Sequence, residues 1–423
     1  MDDLRERAVA ILRRNDRGGY SVPTDGLYPF QWNWDSGFAA MGYGCFDEAR
    51  AWHELARLLE GQWPDGMVPH IVFHREDPRY FPGPEVWGTA REPRTSGITQ
   101  PPILAVCARR LIERARDQGG ALAALRRLFP KLLAYHRWYH GARDPDGTGL
   151  VVVYHPWETG MDNSPAWDGP LARVPVDPLP AYERRDTGHV DASQRPHRAE
   201  YDRYLSLLYR FRARAWEPRA LYAESPFRIT DVGVNSILLR ADRDLLALAQ
   251  DLRIGEGRDR LEGWIERGRL ALQGLWSEAG GGYRSRDQLT GEALAVGTSA
   301  SFLPLFAGAV PPERAPHLLA SLERWAGQVR FLVPSTDPAS PPFEPRRYWR
   351  GPVWLIVNWM IADGLAAYGR ADLAERLRRD ARELVARSGF WEYFDPLTGE
   401  GLGGRDFTWT AAATLFWLLQ KNA

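Results

Sequence analysis

Helical hydrophobic periodicity runs through almost the whole chain and constrains its fold more than any other feature. Between residues 120 and 141, apolar side chains such as Leu125, Leu128 and Leu132 recur at steps of three and four. Residues 371–388 repeat this pattern, with Arg and Glu at the outward positions. Comparable spacing predicts ten further helices, at residues 3–15, 36–61, 99–116, 197–217, 229–250, 257–277, 295–308, 311–327, 351–369 and 407–421.

About twelve helices joined by alternating short and long connections favour an all-α fold of the (α/α)6 barrel type, with inner and outer rings of six helices. A helical solenoid is the alternative, but solenoids show a repeat of roughly 30–45 residues, and we find none. Strand signals are limited to residues 151–154 and 280–284, which is enough for minor β-hairpins. No linker-like change of composition divides the chain, so we predict one domain over residues 1–423.

The longest irregular connections predict where the functional site lies. Loops of such length within a compact domain usually carry function. We expect two of them, at about residues 62–99 and 170–200, to be insertions that close over the site as lids and exclude water. The long connections are at residues 20–36, 62–99, 155–196, 328–351 and 389–406.

Charge and cysteine content exclude several classes of partner. The chain has 54 acidic and 54 basic residues and a sequence pI of about 7.2, whereas nucleic-acid-binding proteins usually carry a clustered basic surplus. Cys45 and Cys107 lie in apolar, helix-like segments and are interpreted as core residues. No apolar run reaches membrane-spanning length, and the N-terminus lacks a secretory pattern. We expect a cytoplasmic protein with neither a nucleic acid nor a membrane as partner.

Aromatic residues are abundant in the loops and surround two carboxylates that are far apart in sequence. The chain contains 18 Trp, 16 Tyr and 16 Phe, and many of the Trp residues lie in Gly- and Pro-rich segments. Asp162 lies in Trp-Glu-Thr-Gly-Met-Asp-Asn-Ser-Pro, and Glu392 lies in Phe-Trp-Glu-Tyr-Phe-Asp-Pro. Aromatic rings stack on the C–H faces of sugars, and paired carboxylates serve as general acid and general base. This combination is typical of a site that cleaves glycosidic bonds.

Each carboxylate also has a structural interpretation. Asp-Asn-Ser-Pro favours a turn, so Asp162 taken alone is equally well explained as a turn residue. Glu392 is a poor turn residue, and its flanking aromatics would raise the carboxyl pKa by desolvation. Asp35 directly precedes a predicted helix and, taken alone, is more typical of an N-cap.

No motif indicates a cofactor or a bound metal. The chain has no phosphate-binding Gly-rich loop after a strand, no His-Glu-x-x-His and no Cys pair at metal-ligand spacing. Residues 144–149 loosely resemble a calcium loop but lack the remaining ligands, so a simple turn is the better interpretation. We expect no cofactor and no metal.

Five motifs in a fixed order resemble those of a known enzyme family. They are Trp-Asn-Trp-Asp-Ser-Gly-Phe, Thr-Gln-Pro-Pro, Trp-Glu-Thr-Gly-Met-Asp-Asn-Ser-Pro, Tyr-Trp-Arg-Gly-Pro-Val-Trp and Phe-Trp-Glu-Tyr-Phe-Asp-Pro-Leu-Thr-Gly. Together they resemble glycoside hydrolase family 63, most closely its bacterial mannosylglycerate and glucosylglycerate hydrolases, and the resemblance spans about residues 20–420. The chain is far shorter than the eukaryotic processing glucosidases of that family and has no room for their β-sandwich domain. This difference favours a small substrate in a closed pocket.

The resemblance implies an inverting mechanism with defined residue roles. Asp162 would be the general acid, Glu392 the general base, and Asp35 would hold the attacking water or a sugar hydroxyl. Inversion needs room for that water, so the two carboxyl groups should lie about 6.5–9.5 Å apart. The residues expected to bind the substrate are Tyr28, Trp34, Tyr80, Gln100, Trp157, Arg198, Tyr348, Arg350 and Trp354.

A glycerate carboxylate requires a cation in the site, and residues 170–204 are rich in Arg. By resemblance we predict Arg198, with Arg195 and Arg203 as alternatives; the structural interpretation of each is a solvated helix start. Arg350 is equally well explained as a sugar-binding residue or as part of a structural ion pair.

The predicted reaction is hydrolysis of an α-glycosyl glycerate, either mannosylglycerate or glucosylglycerate, to the free hexose and D-glycerate. One alternative is an α-glucosidase or trehalase-like enzyme acting on a neutral disaccharide, which would need no Arg beside the aglycone. Another is a carbohydrate-binding barrel without activity, against which the two carboxylates argue. The sequence does not separate mannose from glucose, and unassigned surface aromatics leave a homodimer or higher homo-oligomer open.

Overall fold

The computed structural model describes residues 2–420, and most of them are helical. Short 3-10 turns, such as Pro156–Thr159 and Ser299–Phe302, supplement the α-helices. The α-helices are α1 (Asp2–Arg14), α2 (Asn33–Tyr43), α3 (Glu48–Leu59), α4 (Pro84–Trp87), α5 (Leu104–Arg114), α6 (Gln118–Ala142), α7 (Asp168–Ala172), α8 (Arg198–Ala213), α9 (Pro218–Glu224), α10 (Val232–Asp251), α11 (Arg258–Leu272), α12 (Leu303–Phe306), α13 (Ala315–Ala326), α14 (Leu355–Ala367), α15 (Ala371–Ser388) and α16 (Thr408–Ala413).

Six helices form a closed inner ring. Helix α2 contacts α5, α5 contacts α10, α10 contacts α12, α12 contacts α14, α14 contacts α16, and α16 contacts α2 again. A second layer packs outside them, with α3 on α2, α6 on α5, α11 on α10, α15 on α14 and α1 on α16. The predicted all-α (α/α)6 barrel is therefore confirmed.

The two layers differ in sequence pattern because they differ in burial. All eleven residues of α2 are buried, as expected for a helix surrounded by others. Helix α15 buries one stripe that includes Leu373, Leu377 and Leu384, and most of its Arg and Glu residues face outward. The periodicity of the sequence is thus clearest in helices that have one solvated face.

Several predicted boundaries are wrong. The helix expected at 36–61 is two helices, because the Asp47 side chain caps a new helix by accepting the Arg50 N–H over 3.0 Å. The helix expected at 295–308 shrinks to α12 and the 3-10 turn before it. Lys421, the last residue of the predicted 407–421 helix, lies outside the described residues, as do the ends of the predicted 1–423 domain.

Small antiparallel sheets lie among the loops. Their pairings are β1–β2–β3, β4–β7, β5–β6 and β8–β9. The expected hairpin at 280–284 contains β6, whereas 151–154 forms no strand and makes only a bridge from Val153 to Ile229. The strands are β1 (Gln31–Trp32), β2 (Ile71–Phe73), β3 (Arg94–Thr95), β4 (Ile229–Thr230), β5 (Trp276–Ser277), β6 (Gly282–Tyr283), β7 (Arg286–Asp287), β8 (Trp391–Phe394) and β9 (Gly401–Arg405).

Candidate active site

One cavity gathers most of the predicted site residues. It lies where inner helices α2, α5, α14 and α16 begin, because its walls include residues at or just before their N-terminal ends. Residues from both predicted insertions, 62–99 and 170–200, also line it. The predicted residues that line the cavity are Tyr28, Trp34, Asp35, Tyr80, Gln100, Trp157, Asp162, Tyr348 and Glu392. Those that do not are Arg198, Arg350 and Trp354.

Glu392 is positioned by an irregularity in the β8–β9 hairpin. The strand register shifts at this residue, and such a bulge redirects a side chain. The nearby Gly403 has φ +74°, and a Cβ there would lie 2.5 Å from Glu392 Oε2, so a glycine leaves room for the carboxylate. The Gly404 N–H donates to Oε2 over 2.9 Å, and the Tyr28 hydroxyl donates to Oε1 over 3.1 Å. Both oxygens of this carboxylate, which is 1% exposed, are held.

Asp162 lies in a loop that buried contacts hold in place. The turn Pro156–Thr159 carries Glu158, which pairs with Arg143 over 2.5 Å in the interior. The Tyr204 hydroxyl donates to the backbone oxygen of Asp162 over 3.0 Å. These contacts fix the loop without using the Asp162 carboxylate, which faces the cavity.

Two tyrosine hydroxyls connect the carboxylates. Tyr348 donates to Asp162 Oδ2 over 3.3 Å, the Tyr348 and Tyr28 hydroxyls lie 3.3 Å apart, and Tyr28 donates to Glu392 Oε1 over 3.1 Å. The three steps together limit the Asp162–Glu392 oxygen separation to at most about 9.7 Å. This limit includes the separation of roughly 6.5–9.5 Å that an inverting pair requires.

Burial sets the pKa values of the three carboxyl groups. It raises the pKa of Asp162 to about 7, although Arg195 and the Tyr348 hydroxyl oppose the shift. Burial also raises the pKa of Glu392, against the opposing effects of Arg195, the Gly404 N–H and Tyr28. The pKa of Asp35 lies well above its usual range because of burial, and the neighbouring carboxylates add to this effect. A carboxyl group with a pKa near neutrality can serve as a proton donor.

Asp35 is not an N-cap. Helix α2 begins at Asn33, so its N-cap is Trp32 and Asp35 is the third helical residue. The capping interpretation is wrong because the helix starts earlier than its periodicity suggested. The carboxylate faces the cavity, and the residue is 6% exposed.

Aromatic rings form much of the wall. The ring of Trp34 fits closely against Gly160, which has φ +71° and where a Cβ would lie 2.7 Å from that ring. Trp157 stacks on His70 with ring centroids 6.0 Å apart. The backbone N–H of Trp34 donates to Gln100 Oε1 over 3.3 Å. The Oε1 atom of Gln100 therefore already accepts a hydrogen bond, and its amide NH2 can donate to a ligand.

Two residues of the Tyr-Trp-Arg-Gly-Pro-Val-Trp motif support the wall instead of forming it. Trp354 lies behind Trp349, whose ring stacks on it with centroids 3.7 Å apart, and Trp349 lines the cavity. Arg350 pairs with Asp168 over 2.8 Å and with Glu344 over 2.8 Å. The structure therefore favours the structural ion pair over a sugar contact for Arg350, and Trp354 has no direct access to a ligand.

The buried cation in the cavity is Arg195, not Arg198. The Arg198 side chain is 61% exposed and pairs with Asp202 over 3.3 Å, because it occupies the first turn of α8 on the outside. Arg195 is 6% exposed and pairs with Asp186 over 3.1 Å. Its Nη1 lies 4.0 Å from Glu392 Oε1 and has no hydrogen-bond partner among residues 2–420. A buried, unpartnered N–H beside the two carboxylates is the group available to an anionic ligand.

Other cavity residues were not predicted. Arg185 and Asp186 lie in the Arg-rich segment 170–204, but no local pattern distinguished them from their neighbours. Trp409 belongs to a predicted helix, where an aromatic residue is first interpreted as core. The unpredicted aromatic and charged residues are Trp32, His70, Phe81, Arg185, Asp186, Tyr201, Trp349, Phe407 and Trp409.

The described part of the chain contains no candidate metal cluster and no candidate membrane-spanning helix. In residues 2–420, no group of three or more His, Cys, Asp or Glu side chains is arranged to hold a metal ion. None of the helices in this range is long and apolar enough to cross a membrane.

Comparison with known proteins identifies the family. Residues 28–410 match the model of the mannosylglycerate hydrolase MGH1-like glycoside hydrolase domain. The chain is 56% identical to a mannosylglycerate hydrolase of Thermus thermophilus over 97% of this chain and 99% of that protein. It is 39% identical to a glucosylglycerate hydrolase of Mycolicibacterium hassiacum over 98% and 97%.

A solved structure agrees with this assignment. A family 63 mannosylglycerate hydrolase of Thermus thermophilus, in complex with Tris and D-glycerate, matches with a TM-score of 0.95 and 56% identity. The match covers 98% of this chain and 99% of that one. The chain therefore belongs to the mannosylglycerate hydrolase MGH1-like domain family, within glycoside hydrolase family 63.

Proposed function

We propose that the protein hydrolyses α-mannosylglycerate, with inversion at the anomeric carbon, to mannose and D-glycerate. The observation that carries this proposal is the free Nη1 of Arg195 inside a cavity that also holds Asp162 and Glu392. The higher identity to a mannosylglycerate hydrolase, 56% against 39% to a glucosylglycerate hydrolase, supports mannose as the preferred sugar. Glucosylglycerate is the second candidate substrate, because that relative also aligns over nearly the whole chain.

The two carboxylates have opposite roles in the proposed reaction. Asp162, whose pKa is raised to about 7, protonates the glycosidic oxygen as the C–O bond breaks. Glu392 removes a proton from a water that attacks the opposite face of the anomeric carbon. Asp35 holds this water or a sugar hydroxyl. Reactions of this kind gain about 10²–10⁴-fold in rate from each positioned acid or base.

Arg195 gives the proposed site its preference for an acidic aglycone. Its guanidinium would form a charge-assisted hydrogen bond with the glycerate carboxylate, and Gln100 and Tyr80 would bind the remaining glycerate oxygens. Trp34 and Trp157 would pack against the sugar ring. A neutral disaccharide would leave the buried N–H of Arg195 unpaired, at a cost of about 1–3 kcal/mol. This argues against a trehalase-like or α-glucosidase activity.

Several further properties belong to the proposal. We propose that segments 62–99 and 170–200 close over the bound substrate, because each supplies cavity residues such as Tyr80 and Arg195. A single catalytic domain, a cytoplasmic location and a homo-oligomeric state stay predictions. Cell fractionation and light scattering would test the last two.

A hydrolysis screen tests the proposed function. The purified protein is incubated with mannosylglycerate, glucosylglycerate, trehalose and maltose, and NMR identifies the anomer that appears first. We expect hydrolysis of the first two sugars only, with the β-hexose formed first from the α-linked substrate. Hydrolysis confined to the neutral sugars would contradict the proposed substrate, and the α-hexose appearing first would contradict inversion.

A further inference from the structure

An inverting hydrolase must restore its own protonation state. On the proposed function, each turnover leaves Asp162 ionised, because it has protonated the leaving oxygen, and leaves Glu392 protonated, because it has accepted a proton from water. The next turnover requires the reverse arrangement. A proton must therefore move from Glu392 to Asp162, either through bulk water or through the protein.

The geometry of Glu392 limits how its proton can leave. Oε2 accepts the Gly404 N–H over 2.9 Å, and an amide N–H cannot take up a proton. The Tyr28 hydroxyl, which can, lies 3.1 Å from Oε1. Because Glu392 is 1% exposed, bulk water reaches this carboxyl group only through the cavity. The acceptor that the protein places beside the proton is the Tyr28 oxygen.

The path continues without interruption to the other carboxylate. The hydroxyl oxygens of Tyr28 and Tyr348 lie 3.3 Å apart, so Tyr28 can donate to Tyr348 when Glu392 carries the proton and Tyr28 no longer donates to Glu392. The Tyr348 hydroxyl lies 3.3 Å from Asp162 Oδ2. Tyr348 is 7% exposed, and its backbone has φ +39°, a conformation that is uncommon for a residue with a large side chain. Such a conformation persists where its surroundings enforce it, and here it places a hydroxyl between the acid and the base.

We propose that Tyr28 and Tyr348 form a proton relay that returns the proton from Glu392 to Asp162 after each turnover. Glu392 Oε1 gives its proton to the Tyr28 oxygen as Tyr28 gives its own to the Tyr348 oxygen, and Tyr348 gives its proton to Asp162 Oδ2. Three O–H bonds break and three form, both tyrosines end neutral, and no other reactant is consumed. The two hydroxyl protons then point towards Glu392, and both hydroxyls turn back towards Asp162 before the relay acts again.

The surrounding groups are suited to a concerted transfer. The pKa of Asp162 is raised to about 7, so its carboxylate is a good final acceptor. Burial holds the pKa values of Tyr28 and Tyr348 well above the usual range, so the protons must move together instead of through a free phenolate. The Arg195 guanidinium lies 4.1 Å from the centre of the Tyr348 ring and favours negative charge that develops on the hydroxyl oxygens during transfer.

Another tyrosine provides a matched control. The Tyr393 side chain is buried beside Tyr348, with ring centroids 5.7 Å apart, but its hydroxyl donates to the backbone oxygen of Gln194 over 3.1 Å. Tyr393 therefore contacts the same wall without linking the two carboxylates. The substitution Tyr393→Phe removes a buried hydroxyl of the same kind and leaves the relay intact.

Pre-steady-state kinetics separate the relay from the chemical step. Tyr28→Phe and Tyr348→Phe are mixed with saturating mannosylglycerate, and released mannose is measured from the first turnover onward. We expect the steady-state rate to fall at least about tenfold more than the rate of the first turnover, which appears as a burst of one mannose per active site. Imidazole, a small proton carrier, should raise the steady-state rate but not the burst rate. Tyr393→Phe should show no burst.

Other outcomes would overturn the relay. Equal slowing of the first turnover and the steady state, without rescue by imidazole, would mean that the hydroxyls act only in binding or in the chemical step. Unchanged steady-state rates in both variants would show that water resets the enzyme. If the unaltered protein released no mannose at all, the proposed function itself would fall, and the relay with it.

Discussion

Replacement of Arg195 by Gln is the most informative single perturbation of this site. The guanidinium lies 4.0 Å from Glu392 Oε1 and is buried at 6% exposure. Its ion-pair partner, Asp186, is not left alone in the variant, because Arg184 also pairs with Asp186 over 2.6 Å. The fold should therefore tolerate the change, and its effects should appear in catalysis.

The expected change in pH dependence follows from the charge removed. Opposite charges about 4 Å apart interact by about 4 kcal/mol at an effective dielectric constant near 20, which corresponds to at most about three pKa units. Water that enters the vacated volume will screen part of this, so we expect a shift of one to two units, roughly half of that limit. Arg195 lowers the pKa values of both Glu392 and Asp162. Its loss should therefore raise both.

Both limbs of the pH profile should shift in the same direction. Activity rises with pH as the proposed base Glu392 ionises and falls as the proposed acid Asp162 loses its proton. Because both pKa values rise in Arg195→Gln, the whole bell-shaped profile of kcat/KM should move to higher pH. KM for mannosylglycerate should also rise by about 10- to 150-fold, since a hydrogen bond to a charged group is worth about 1.5–3 kcal/mol.

The assay is the initial rate of glycerate release over a range from about pH 4 to about pH 10, which covers the ordinary titration ranges of carboxyl groups and imidazole. Arg198→Gln is the matched control, because Arg198 lies three residues further on but its side chain is 61% exposed and outside the cavity. We expect its profile and KM to stay within about twofold of the unaltered protein. The proposed role of Arg195 is refuted if Arg198→Gln raises KM while Arg195→Gln leaves both KM and the pH profile unchanged.

Three further predictions concern the proposed acid, the glycine beside the proposed base, and the ion pair that holds the loop of the acid. Asp162→Asn should remove the alkaline limb of the pH profile near pH 7 and lower kcat by about 10²–10⁴-fold, as measured by initial rates from pH 5 to 9. Gly403→Ala should lower kcat at least about tenfold and destabilise the fold by about 1–3 kcal/mol, because φ is +74° at this position and the new Cβ would lie 2.5 Å from Glu392 Oε2. Initial rates would measure the change in kcat, and urea unfolding would measure the change in stability. Arg143→Met should destabilise by about 3–5 kcal/mol in urea unfolding, because Glu158 is left as an unpaired buried charge, and adding Glu158→Gln should recover part of the loss.

The sequence predicted the fold class better than the extents of its helices. Amphipathic outer helices such as α15 were readable because one face is buried and the other is solvated. An inner helix such as α2 is buried all round, so its periodicity does not mark its ends. The boundary within the predicted 36–61 helix is instead set by Asp47, which caps the outer helix α3. The closure of six inner helices into a ring is a tertiary property that no local pattern specifies, although helix number and loop lengths indicated it.

Site residues were predictable where the chemistry requires one residue type. They were not predictable where several residues of the same type lie close in sequence and tertiary packing determines which of them faces the cavity. Asp162 and Glu392 were identified as carboxylates within aromatic motifs, and both face the cavity. Arg195 and Arg198 were indistinguishable in sequence, because the difference depends on where α8 begins. The helix starts at Arg198, which turns that side chain outward, while Arg195 precedes it in a segment that packs on the cavity.

The position of Arg195 suggests why recognition and catalysis depend on one another in this site. The same guanidinium proposed to bind the glycerate carboxylate lowers the pKa values of the acid and the base in the free protein. A bound carboxylate neutralises much of that charge, so both pKa values should rise when the substrate binds. A higher pKa keeps Asp162 protonated at neutral pH and makes Glu392 a stronger base. A neutral disaccharide lacks the carboxylate and would leave both groups in the state of the free protein, so discrimination against neutral sugars would act on turnover as well as on binding.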